Sequence, residues 1–146
     1  MTNQTQNTET TDDGKTNHDL KRELAQFTGD LVRYRHPFNR RVIFTPGVRH
    51  LAEKAGAFWL IDAIASHIGT EPFEEAAAED QRIAHMHFWS FERHRDKPSV
   101  LYAKADSPEE AFITQEIEFT DFPLPEIHIW AAFDGEHWVL YLPSEH

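Results

Sequence analysis

Between residues 83 and 143 one device recurs: a run of aromatic, β-branched and aliphatic residues, closed by turn formers. The runs are IAHMHFWSFER (83–93), SVLYAKA (99–105), FITQEIEF (112–119), EIHIWAAF (126–133) and HWVLYLP (137–143). Their separators are Asp96-Lys97-Pro98, Asp106-Ser107-Pro108, Asp121-Phe122-Pro123 and Asp134-Gly135. Short runs bounded in this way read as strands, and Asp-Gly between two of them is a strong hairpin signal. Links this short join antiparallel neighbours. The resulting sheet needs a cover for one face, and only the residues before it can supply one.

Those residues read as helices. Thr16 and Asp19 resemble a capping box, and Leu20, Leu24 and Phe27 recur at i, i+4, i+7, which predicts a short amphipathic helix ending near Gly29. RRVIFT (40–45) reads as a short strand. Thr45-Pro46 then offers a capping hydroxyl and a proline at the first helical position, with Val48, Leu51, Ala52 and Ala55 on one face. From Ala57 the stretch AFWLIDAIA is apolar nearly all round, the pattern of a helix buried on several sides, bent or interrupted at Gly56. GTEPFEEAAAEDQ (69–81) reads as an acidic connector with one helical turn. Residues 1–16 are rich in Thr, Asn, Gln and Asp, which predicts a disordered tail. The expectation is one α+β domain over residues 17–146, its N-terminal helices packed on a curved antiparallel sheet of four to five strands.

Composition narrows the function classes. A chain of 146 residues suits one domain with a real core. With no cysteine, disulfides, thiolate metal sites and a cysteine nucleophile are excluded. Neither a secretory leader nor a membrane-length apolar run is evident, so the expected setting is cytoplasmic, with no membrane partner. The net charge of −11 is uneven: residues 21–49 hold seven Lys/Arg against two acids, and residues 50–146 hold six against nineteen. Nucleic-acid binding over a broad face needs an extended basic surface, which this distribution disfavours. A local anion pocket stays open.

That pocket would lie in RYRHPFNRR (33–41), where Arg33, Arg35, Arg40 and Arg41 flank His36. Planar guanidiniums grip carboxylate or phosphate in a fork, which suits an anion or an acidic partner. The competing reading is structural. Asp62 falls inside the apolar helix, where an unpaired carboxylate is expensive, and an arginine from this segment would brace it as an ion pair. Arg33 and Arg35 are the pair expected nearer solvent. Histidines form a second candidate: on one strand, His85 and His87 share a face, and His128 or His137 could join them as ligands of Zn²⁺ or Fe²⁺. No HExxH motif accompanies them, and stacked or hydrogen-bonded histidines are the plainer reading. Asp62, Ser66 and His67 lie close in sequence but lack a nucleophile elbow, and the six glycines are too dispersed for a phosphate loop. Trp59, Trp89, Trp130 and Trp138, with Phe58, Phe88 and Phe91, read mainly as core. Alternation in HFWSF leaves some aromatic surface over for a partner or a second copy of the chain.

Several strings resemble a bacterial family of small proteins, domain-of-unknown-function family 6876. They are FTG (27–29), YRHPFNRRVIFTPGVRHLAEKAGAFWLIDAIASH (34–67), IEFTDFPLPEIHIW (117–130) and LPSE (142–145). The resemblance implies a bacterial protein often carried on mobile elements, and it supplies no reaction, cofactor or catalytic residue. The expected function is therefore that of a small acidic accessory protein without an enzymatic role, acting through a protein contact. That contact would combine an acidic face (Glu71, Glu74, Glu75, Glu79, Asp80, Glu109, Glu110) with the aromatic strand surface. The alternative is a small-molecule or metal-dependent enzyme using the strand histidines.

Overall fold

The computed structural model describes residues 17–28 and 32–146. The expected tail, the Thr16 cap and Gly29 lie outside the described residues. The first helix, α1, covers residues 17–25 and buries Leu20 and Leu24. It is followed by β1 (Tyr34–Arg35), β2 (Val42–Phe44), α2 (Pro46–Ala55), α3 (Phe58–His67), α4 (Glu71–Glu79) and α5 (Gln81–His85). The remainder is β3 (Met86–Glu92), β4 (Ser99–Lys104), β5 (Ala111–Ile117), β6 (Glu126–Phe133), β7 (Trp138–Tyr141) and a 3₁₀ turn, Pro143–Glu145. No helix among the described residues is long and apolar enough to cross a membrane.

The α+β class holds, with corrections to the strand count, the helix placement and one link: Asp121-Phe122-Pro123 does not join neighbours, because β6 pairs with β3 and β5 only with β4. The sheet has seven strands in the order β1-β2-β7-β6-β3-β4-β5, and the two extra strands come from the N-terminal half. All neighbours are antiparallel except β2 and β7, which run parallel with Val42 beside Trp138 and Phe44 beside Leu140. The helices are therefore not all N-terminal to the sheet but are threaded between β2 and β3. The acidic connector also exceeds one turn. Thr70 caps a nine-residue helix by accepting from Phe73 N–H, and Pro72 lies in its first turn.

The local signals around residue 45 act as expected. Thr45 accepts from Val48 N–H, and Gly56, at φ 61°, closes α2 in the left-handed conformation that glycine tolerates best. Asp134 closes the last hairpin, its side chain accepting from Glu136 N–H at 2.9 Å and His137 N–H at 2.6 Å, with Gly135 at φ 100°. A long-range lock then ties the C-terminus to α2. Glu145 accepts from the Thr45 hydroxyl at 2.6 Å, from Gly47 N–H at 3.3 Å and from Leu142 N–H at 2.9 Å. The carboxylate thus sits at the positive end of α2. A Cβ on residue 47 would stand 2.6 Å from a Glu145 oxygen, so the lock requires glycine there.

One sheet face is covered. His87, Trp89 and Phe91 alternate inward from β3, joined by Leu101, Ala103, Ile129, Ala131 and Leu140. Trp59 and His67 of α3 pack on Phe91 and Trp89, and Phe73 of α4 packs on His87 and Trp138. A bulge opposite Ala103/Lys104 leaves Phe112 without a ladder partner, and its ring packs against His87 and Phe73. The helix around Trp59 is less enclosed than its sequence suggests: Leu60, Ile61, Ile64 and Ala65 are buried, whereas Phe58, Asp62 and Ser66 face out.

Candidate functional site

The arginine segment forms a loop between β1 and β2, and its brace does not come from arginine. His36 is only 4 % exposed, and its Nδ1 accepts from Phe38 N–H at 3.2 Å and Asn39 N–H at 3.0 Å. Those two bonds use the Nδ1 lone pair, so the ring proton sits on Nε2 and is donated to Asp62 Oδ1 at 2.8 Å. Asn39 completes the clasp. Its Nδ2 donates to Ala65 O and Ile68 O, two terminal carbonyls of α3, while its Oδ1 accepts from Arg41 N–H. Backbone bonds from His36 to Val42 and from Trp138 to Arg41 fix the two ends.

The expected Arg–Asp62 ion pair is therefore corrected on two points. Asp62 is 54 % exposed, and its partner is His36. A carboxylate at the helix surface keeps most of its hydration, so no guanidinium is needed to offset desolvation. The arginines instead lie on the outside. Arg33, Arg35, Arg40 and Arg41 are all exposed. Arg33 donates to the neighbouring Val32 carbonyl, and Arg41 reaches Glu74 at 3.7 Å with both side chains half in water. An exposed pair of this kind contributes about 0–1 kcal/mol. Between them Phe38 is 86 % exposed at the tip of the loop. A large aromatic held in water on a clasped backbone, bordered by guanidiniums, has side-chain types that are enriched at protein interfaces.

Sequence reasoning missed Phe38, although a signal was present. Pro37 and Asn39 both favour turns, and a residue between them has little chance of burial. It also matched formal charges, arginine to aspartate, and so overlooked the short polar side chains that hydrogen-bond the backbone.

The other expected site residues are dispersed. Asp80 caps α5 by accepting from Arg82 N–H, so His85 ends a helical turn and is not on the strand with His87. His87 lies fully buried on the covered face, and His128 is exposed on the opposite one. The three cannot share one ion, and no group of three or more His, Asp or Glu among the described residues is placed to hold a metal. His87 is enclosed by Phe73, Trp89, Phe112 and Trp138, with Nδ1 3.3 Å from Ile83 O and no partner for Nε2. Burial pushes its pKa down to about 4. Ser66 donates to Ala63 O at 2.6 Å, and His67 pairs with Gln115 at 2.7 Å, so the two take up separate roles.

The composite contact expected from acids and aromatics also separates. α4, with Glu71, Glu74, Glu75 and Glu79, packs through Phe73 on the covered face, whereas Phe88 and Trp130 stand on the other. Asp80 and Glu109 are already joined through Arg82, each at 2.7 Å. The acids of α4 and the partly exposed Phe88 and Trp130 thus lie on opposite sides of one sheet.

No curated protein and no solved structure matches the chain. A family model described as "Family of unknown function (DUF6876)" matches residues 18–146, which include all the described residues but Asn17. The clasped loop and the Thr45–Gly47–Glu145 lock both fall within that match, and the chain belongs to this family.

Proposed function

We propose that the protein is a non-enzymatic interaction protein that engages an anionic partner protein through the loop of residues 33–41. The observation that carries this reading is the division of labour in the loop: His36 and Asn39 hold its shape, so Arg35 and Arg40 make no contribution to the brace and border the exposed Phe38. A preformed loop loses little entropy on binding, and arginine and aromatic side chains are enriched at interfaces. The surrounding protein is acidic, so the loop is a local exception that would orient an acidic surface toward itself. The family resemblance supports placing this contact in a bacterium, in the service of a mobile element.

The test compares wild-type protein with a triple variant, Arg35→Gln/Phe38→Ser/Arg40→Gln, as immobilised baits in extract of the native host. At about 0.1 M salt the wild type should retain an acidic protein, and at about 0.5 M salt should release it, because exposed charges are screened. The variant should fail to retain it while melting within a few degrees of wild type. Equal retention by both baits refutes the assignment.

A further inference from the structure

The solvent face of the sheet carries a second constellation, built from neighbours in the strand ladder. Cross-strand registry sets three rows side by side. Tyr141, Trp130, Phe88 and Lys104 form one row, His128, Ser90 and Tyr102 the next, and Glu126, Glu92 and Val100 the third. The solvent face of an antiparallel sheet is ordinarily polar, so the aromatic row is unusual there. It is also held in place. Trp130 meets Phe88 edge to face at 5.3 Å, and its other flank meets Tyr141 at 6.0 Å and His146 at 5.3 Å. The terminal His146 stacks on Tyr141 and lies 2.9 Å from its hydroxyl.

The middle row is a hydrogen-bonded chain. Ser90 Oγ lies 2.8 Å from His128 Nδ1, and the Tyr102 hydroxyl donates to Glu92 at 2.5 Å. Burial and the Glu92 carboxylate raise the Tyr102 pKa, so the phenol keeps its proton at neutral pH. Ser90, His128 and Tyr102, with Phe88 and Trp130 of the aromatic row, line a depression of about 580 Å³ whose rim includes Lys104 and Asp106. That is room for a ligand of two to three rings.

We propose that this depression binds a short neutral oligosaccharide. The charged side chains that line it offset one another. Lys104, whose Nζ stands 5.4 Å from the Tyr102 ring centre, is matched by Asp106, and Glu92 beyond the lining is engaged by the Tyr102 hydroxyl. The lining therefore offers no net charge to recruit an ion, which favours an uncharged ligand. The apolar and polar rows run parallel and adjacent, which suits a ring with an apolar face and a hydroxylated edge. Sugar C–H groups lie against the electron-rich aromatic face, while hydroxyls exchange bonds with Ser90 and His128 and donate to the Tyr102 oxygen, whose own proton goes to Glu92. Because Phe88 and Trp130 stand at 87° to one another, the site offers no parallel slot to sandwich a flat aromatic base. This surface is separate from the arginine loop, so either assignment can fail without the other.

The full chain would be titrated with neutral di- and trisaccharides of glucose, mannose, galactose, xylose and N-acetylglucosamine. Choline serves as the cationic probe and glucuronate as the anionic one, with saturation-transfer NMR and tryptophan fluorescence as readouts. At least one neutral sugar should bind with Kd of about 1 mM or tighter and lose about tenfold in affinity in Trp130→Ala. Tyr102→Phe, which removes only a hydroxyl, should weaken the same sugar, and Phe38→Ser should leave it unchanged. The proposal is overturned if no neutral sugar binds at about 10 mM, if choline or glucuronate binds better than every sugar, or if sugar binding survives both Trp130→Ala and Tyr102→Phe in folded protein.

Discussion

Replacing His36 with alanine should destabilise this protein several times more than removing the two neighbouring arginines, because the loop hangs on the imidazole. Nδ1 accepts two backbone N–H groups and Nε2 donates to Asp62, all from a ring that is almost fully buried. Each neutral bond contributes about 1 kcal/mol net and the half-exposed Asp62 bond about the same, so the three bonds alone come to roughly 3 kcal/mol and loss of buried ring contacts adds to that. With a urea slope of about 2 kcal/mol/M, the midpoint should fall by about 1.5 M or more. Arg35→Gln/Arg40→Gln removes exposed side chains outside the brace and should change stability by no more than about 0.5 kcal/mol, or about 0.25 M. Asp62→Ala should fall between, at about 1–2 kcal/mol, since it strands a buried Nε2–H that water reaches from the exposed Asp62 side. Equilibrium urea melts on the three variants decide the matter. If the arginine pair lowers the midpoint by more than His36→Ala does, the brace is electrostatic after all and the loop account is refuted.

Two further outcomes follow from the core and from the C-terminal lock. His87 takes up a proton near pH 6.5 when unfolded but only near pH 4 when folded, so the unfolded chain holds the extra proton between those values. Its contribution to stability is complete above about pH 6.5 and falls as pH drops toward 4, by about 3 kcal/mol in total; in His87→Leu, melts across that range should show a shallower decline, and an identical pH profile would disprove the burial effect. Gly47→Ala should displace the Glu145 carboxylate and cost about 1–2 kcal/mol, similar to Glu145→Ala. The two substitutions should not add in the double variant, so a fully additive thermal denaturation cycle would dissolve the proposed lock.

Much of the fold was legible because it rests on neighbours in the chain. Thr45-Pro46 and Gly56 bound a helix through bonds spanning three to four residues. Asp134-Gly135 closes a hairpin in the same local way. Strand alternation from His87 to Phe91 correctly divided β3 into two faces. The class, the β3–β4, β4–β5 and β6–β7 hairpins and the turning of Phe88 to the solvent face follow from such short-range rules, together with a family match over residues 18–146, whereas the link at Asp121-Phe122-Pro123 does not join neighbours.

What the tertiary structure alone decided lies between residues far apart in sequence. The parallel seam of β2 with β7 joins residue 42 to residue 138, and no pattern within either strand specifies its partner. Asp62 and His36 are 26 residues apart, and Glu145 and Gly47 are 98 apart. Charge counting assigned Asp62 to an arginine because it weighs formal charge over distance and hydration. In the folded chain the carboxylate stays in water and the nearest donor is an imidazole, already oriented by two backbone N–H groups. Pairing of this kind depends on which side chains the packed sheet and helices bring within 3 Å, and sequence alone carries no record of those distances.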